Sequence, residues 1–97
     1  MNENYTLFDY LDYANIIQTR DGEYYISVLF TNYICFLNKD FSLGTDKDYD
    51  ENLKFIHDNE DLDIVALYKC EYDADYTIFE VLDRKDDWEL IWKESDN

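Results

Sequence analysis

The segment IIQTRDGEYYISVL, residues 16–29, constrains the fold more than any other part of the chain. Two runs rich in Ile, Val and Tyr flank Asp21-Gly22. Such runs favour extended backbone, and an Asp-Gly pair between them accepts the positive φ that a tight reversal needs. The segment therefore predicts a β-hairpin with neighbouring strands antiparallel. A third strand is expected at YICFL, Tyr33 to Leu37, reached through a polar turn at Thr31-Asn32. The second half adds DIVALYKC, DYTIFEVL and DWELIWKE, each read as a strand. In the first of these, Ile64, Ala66 and Tyr68 share one face while Val65 and Leu67 take the other, as in a strand covered on both sides. In the last, Trp88, Leu90 and Trp92 alternate with Glu89, Ile91 and Lys93 at a period of two.

The N-terminal part reads differently. Leu7, Leu11 and Ala14 recur at the spacing of one helical face, so a helix is expected from Leu7 to about Ala14. Thr6 and Asp9 are placed as a capping-box-like pair, and Tyr5 and Tyr10 as a hydrophobic staple. NKDFSLGTDKDYDEN reads as loop with Gly44 as a break, and NLKFIHD as either a helical turn or a further strand. The chain has no Pro, two Gly and no linker-like tract. These patterns predict one compact α+β domain over residues 1–97. Its N-terminal helix would pack on a mostly antiparallel sheet of about five strands.

Charge sets the functional question. The formal net charge is −16, from 24 acids against 8 bases, yet 19% of the residues are aromatic. An acidic tail without a core is poor in aromatics, so a folded domain with an acidic surface is expected. Such a surface is soluble and repels nucleic acid and anionic membranes; it attracts basic proteins and cations. The N-terminus MNENYTLFDY has neither a basic region nor a long apolar run, and no stretch has the length of a membrane span. With Cys35 and Cys70 in apolar contexts, the expectation is a cytoplasmic protein with reduced thiols.

Thr45 to Asp63, TDKDYDENLKFIHDNEDLD, concentrates the acids. Asp46, Asp48 and Asp50 align with the first, third and fifth positions of a calcium-binding EF-hand loop. Glu51 then stands where that loop needs Gly, and His57 where it needs a bidentate Glu. One His and two distant Cys lack transition-metal spacing. No nucleophile elbow, P-loop or dinucleotide fingerprint is present. The expectation is a non-enzymatic protein without metal or cofactor.

Carboxylates on a rigid surface can instead imitate a nucleic acid. Duplex DNA carries a charge about every 1.7 Å of axis. Acids two apart on a strand project about 7 Å apart, with neighbouring strands about 5 Å away. The candidate contact residues are Asp46, Asp48, Asp50 and Glu51; Asp58, Glu60, Asp61 and Asp63; and Glu71, Asp73 and Asp75. Tyr49, Tyr72 and Tyr76 lie among them, and tyrosine is enriched in interfaces.

The order of segments resembles small acidic accessory proteins of phages and prophages of Gram-positive bacteria. These carry an N-terminal helix, an NGxYY-like hairpin, an acidic loop, a DIVxxY strand and a terminal LWxR/K strand. The matching residues here are Asp21–Tyr25, Asp63–Tyr68 and Leu90–Lys93. The resemblance implies an inhibitor of host defence. It would act in the cytoplasm of an infected bacterium on a basic host protein, such as a CRISPR effector nuclease whose DNA groove it occupies, with no direct nucleic-acid or membrane contact. The alternatives are a generic protein-interaction module whose charge gives solubility, and a divalent-cation-binding protein.

Overall fold

A computed structural model describes residues 7–40, 42–71 and 80–94. Six antiparallel strands form one sheet: β1 (Ile16–Thr19), β2 (Tyr24–Leu29), β3 (Ile34–Leu37), β4 (Ser42–Thr45), β5 (Ile64–Lys69) and β6 (Glu89–Lys93), in the order β4-β3-β2-β1-β5-β6. The α+β expectation is thereby corrected. Among the described residues there is no α-helix, only short 3-10 turns, and the strands number six. The extra strand is β4, in a stretch read as loop.

Leu7–Asp12 is a six-residue 3-10 helix rather than an α-helix running to Ala14. Its composition explains this: Phe8, Asp9, Tyr10, Asp12 and Tyr13 are indifferent helix formers, and so short a segment cannot repay α-helical nucleation. The residues beyond it are claimed by the sheet, because Asn15 N–H donates to the Tyr68 carbonyl (3.0 Å) and Ser27 N–H to that of Asn15 (3.0 Å). The expected Thr6 cap and Tyr5 staple lie outside the described residues.

The β1–β2 hairpin forms where Asp-Gly predicts it. Arg20, Asp21 and Gly22 make the loop; Gly22 has φ 92° and Gly22 N–H donates to the Thr19 carbonyl (2.9 Å). This is the three-residue connection that closes on a residue with positive φ. Asp21 Oδ1 braces it by accepting from Glu23 N–H (3.2 Å) and from the Thr19 hydroxyl.

Both faces of the sheet are covered. On one face Ile17, Tyr25, Phe36 and Leu67 pack with Leu11, Tyr49 and Leu53. On the other Ile16, Ile26, Cys70 and Val81 pack with Tyr24, Tyr68 and Trp88. Three bulges decide which side chain goes where. Gln18 pairs with Ala66 but Thr19 with Ile64, so Val65 is an extra residue. Ile64 therefore joins Leu67 on the first face instead of sharing one with Ala66 and Tyr68. Leu67 pairs with Trp92 but Tyr68 with Leu90, so Ile91 is extra. Trp92 thus packs on the first face and Trp88 on the second, against the period-two reading. In β4 the extra residue is Leu43. Each bulge reverses the alternation of the strand beyond it.

The strand order also assigns the acidic stretch its place. β4 lies at one edge and β5 beyond β1, so the chain between them must cross four strand spacings, about 19 Å. Residues 46–63 make that crossing, and Tyr49, Leu53, Phe55 and Leu62 pack onto the first face as they do so. The stretch is a cover for half of the core. On the second face Val81, Leu82 and Trp88, from the described residues 80–88 that precede β6, pack against the sheet. The expected strand DYTIFEVL falls partly outside the described residues, and its end, Glu80–Asp83, is a 3-10 turn.

Candidate acidic interface

The first cover is a folded structure in its own right. A 3-10 turn at Asp46–Asp48 leads into a ribbon in which Tyr49 bridges Phe55, and a second 3-10 turn, Glu60–Leu62, ends it. At the ribbon's tip Leu53 has φ 63° and is fully buried. A left-handed leucine costs on the order of 1–2 kcal/mol, and complete burial of its side chain offsets that. The Asp50 carboxylate closes the turn by accepting from Asn52 N–H (2.8 Å) and Lys54 N–H (3.0 Å).

The predicted acids divide into two groups with different work. Those of the first group face inward to backbone N–H donors. Asp46 Oδ1 accepts from Ile34 N–H (3.2 Å) and ties the cover to β3. Asp48 Oδ2 accepts from Thr45 N–H (3.0 Å), completing a capping box with the Thr45 hydroxyl, and its Oδ1 meets His57 Nε2 (3.0 Å). Those contacts, Thr45 N–H first, hold the Asp48 carboxyl below the usual range. Gly44 makes room for it: at φ 140°, a Cβ there would sit 2.6 Å from Asp48 Oδ2. Asp63, 7% exposed, accepts from Phe55 N–H (2.8 Å).

Asp63 belongs to an ion-pair network. Arg20 reaches Asp63 (3.5 Å) and Glu94 (3.0 Å), and Lys54 reaches the same two carboxylates (3.9 and 3.4 Å). Hydrogen bonding from Arg20 is the main reason the Glu94 carboxyl lies below its ordinary value. Two cations are thus spent on joining the β1–β2 turn, the cover and the end of β6.

Glu51, Asp58, Glu60 and Asp61 form the second group. All four are exposed. Among the described residues their carboxylates have no hydrogen-bonded or ion-paired partner, although their backbone is held. The Glu51 carbonyl accepts from Phe8 N–H (3.1 Å), the Asp61 carbonyl from Asp21 N–H (3.1 Å), and Asn59 Oδ1 caps the Glu60–Leu62 turn through Asp61 N–H (3.1 Å). Asp50 lies between the groups, exposed but engaged at Oδ1.

Tyr49 is a core residue and does not present a contact surface. It is 5% exposed, its hydroxyl donates to the Leu62 carbonyl (2.6 Å), and its ring packs edge-on against Phe36 and Phe55. Burial pushes its phenol well above the usual value. Glu71 is exposed; Tyr72, Asp73, Asp75 and Tyr76 lie outside the described residues. As for a calcium loop, Asp46, Asp48 and Asp50 address three different backbone segments and do not converge. Among the described residues no group of three or more His, Cys, Asp or Glu side chains is gathered as metal ligands.

A second surface was missed in the sequence reading. Leu29, Phe30 and Tyr33, around the β2–β3 turn, are 79%, 45% and 38% exposed, and the rings of Phe30 and Tyr33 stack at 5.3 Å. The signal was the run VLFTNY, in which apolar residues continue to the tip of a turn that is normally polar. Also among the described residues, no helix is long and apolar enough to cross a membrane.

Comparison with protein-family models, with curated proteins and with solved structures gives no match for this chain.

Proposed function

We propose that the protein is a non-enzymatic inhibitor of phage type, whose acidic surface takes the place of nucleic acid in the basic groove of a host defence protein. The observation that carries this reading is the division of labour in the first cover. Asp46, Asp48 and Asp63 fasten its backbone, and Glu51, Asp58, Glu60 and Asp61 stand exposed on the backbone so fastened. A charged surface that is already ordered loses little entropy on binding and steers a basic partner at low salt. The resemblance to acidic phage accessory proteins suggests the type of target, a CRISPR effector nuclease acting in the cytoplasm of an infected bacterium.

The test is binding to a purified guide-loaded effector nuclease across a salt series, with target duplex as competitor. Affinity should fall steeply with ionic strength, and bound duplex should exclude the protein. Charge reversal belongs at Glu51, Asp58, Glu60 and Asp61 together, because reversing Asp46, Asp48 or Asp50 would also break the cover. That variant should keep the native fold and lose binding. Salt-independent binding that tolerates bound duplex would overturn the proposal.

A further inference from the structure

Leu29, the most exposed apolar residue near the β2–β3 turn, forms one wall of a small slot. Leu11, Asp12, Ala14, Ser27, Leu29 and Ile34 line a cavity of about 110 Å³. Its walls have a clear structural origin. Ser27, Leu29 and Ile34 lie on the first face of the sheet, since Leu29 pairs with Ile34 and Ser27 with Phe36. They extend past the end of the covered core, where the Leu7–Asp12 turn supplies Leu11. Ser27 and Ala14 are held together by the Ser27 hydroxyl donating to the Ala14 carbonyl (3.2 Å). Leu29, the wall most open to solvent, is 79% exposed, and Tyr13, which follows Asp12, is 58% exposed. So much exposed apolar surface in one place on a small domain marks an interaction site.

Charge selects the occupant. Among the described residues the one charged side chain lining the slot is the exposed carboxylate of Asp12, and Asp46 accepts from the N–H of Ile34, another lining residue. Among the described residues no Lys or Arg lines it. A second copy of this chain would bring another net charge of −16 to the same place, so charge opposes self-association here. The complementary ligand has an apolar stem and a cationic head.

We infer that this slot receives an Arg or Lys side chain of a basic partner protein, its aliphatic stem between Leu11, Leu29 and Ile34 and its charged head on Asp12. Long cationic side chains lay their methylenes on apolar surface while the head stays with water or a counter-charge. Phe30 and Tyr33, the next pair along the hairpin, alternate to the opposite face and take no part in the slot. Occupancy of the slot rests on the reading of a basic partner and adds a specific contact, which distinguishes that partner from any other polycation.

The test uses ¹⁵N-labelled protein titrated with a short peptide of alternating Leu and Arg. Alternating Leu–Glu and Ser–Arg peptides serve as controls. The Leu–Arg peptide should shift the amides of Leu11–Ala14 and Leu29–Ile34, and the Ser–Arg peptide should bind more weakly. Leu29→Asp decides the matter, because it sits at an exposed position that the fold does not need. It adds negative charge, so a purely coulombic contact would tighten, whereas a slot contact should weaken roughly tenfold. Asp12→Asn should weaken it roughly threefold.

Shifts confined to residues 45–63, equal binding of the Leu–Glu peptide, or tighter binding by Leu29→Asp would each overturn the inference. So would self-association through Leu29 without peptide. The quadruple charge reversal at Glu51, Asp58, Glu60 and Asp61 separates the two proposals. If that variant holds the effector nuclease as well as the native chain while Leu29→Asp does not, the slot stands and the nucleic-acid mimic falls.

Discussion

The two faces of the sheet are covered by two connections built on different principles. The first, residues 46–63, is rich in carboxylates and is tied down by them: Asp46, Asp48, Asp50 and Asp63 together accept from five backbone N–H groups. The second, where residues 80–88 are described, is held by contacts of aromatic rings. Trp88 packs edge-on against Tyr24 at 5.0 Å and donates its indole N–H to the Val81 carbonyl (2.9 Å), while Lys85 lies 4.5 Å above the Tyr24 ring. The difference teaches that acidic residues in this chain are not simply surface. In a cover of few regular hydrogen bonds, a carboxylate is the acceptor that satisfies N–H groups which no strand or helix reaches. The acids left over are those that the proposed interface would use.

This contrast can be broken from both sides by equilibrium denaturation. The largest effect is expected for Leu53→Ala, which empties the centre of the first cover and should cost roughly 2–5 kcal/mol. Val81→Ala, the counterpart on the second face, should cost roughly 2 kcal/mol for the two methyl groups removed. A larger loss at Val81 would reverse the ranking of the two covers. Asp63→Ala should cost about 2 kcal/mol, since it strands Phe55 N–H and leaves Arg20 and Lys54 facing one another across Glu94. Tyr49→Phe should cost about 1 kcal/mol through the lost bond to Leu62. Lys39→Ala, which removes an exposed ion pair to Asp83 (3.0 Å), should change stability by less than about 0.5 kcal/mol.

Acid sharpens the same comparison. The Asp48 and Glu94 carboxyls are held below their ordinary values in the folded chain. Their contribution is therefore fully present above the unfolded carboxylate range of about 4, and it is lost as the pH falls below that range. Both groups fasten the first cover. Its amides, such as Asn52 and Lys54, should lose hydrogen-exchange protection at a higher pH than the Trp88 indole N–H of the second. Asp48→Asn should flatten the acid limb. An unchanged limb would assign acid sensitivity to other carboxylates.

How much of this was legible depended on range. Asp21-Gly22 works within three residues, and its hairpin was readable for that reason. Leu7–Ala14 had a helical spacing, but Asn15 is drawn into the sheet by Tyr68, which is 53 residues away along the chain. In the candidate interface, the types of residue were plain and their roles were not. Nothing local distinguishes Asp46 from Asp58; one faces Ile34 N–H and the other faces water. Tyr49 looked like a contact residue because acids flank it, yet the strand order puts the core beneath it. The inward side chains of the first cover, Tyr49, Leu53, Phe55 and Leu62, follow no period, because the segment coils across strands instead of running along one.

By itself, then, the sequence determined an antiparallel β-rich chain with a defined first hairpin, an excess of negative charge and enough aromatic surface to make a core. Local φ preference, β-propensity and summed charge need no partner from elsewhere in the chain. The tertiary structure alone decided the bulges at Val65 and Ile91, the crossing of residues 46–63 over one face, and the separation of fastening carboxylates from free ones. Each of those depends on which distant backbone group a side chain meets, and that is set only once the strand order is in place.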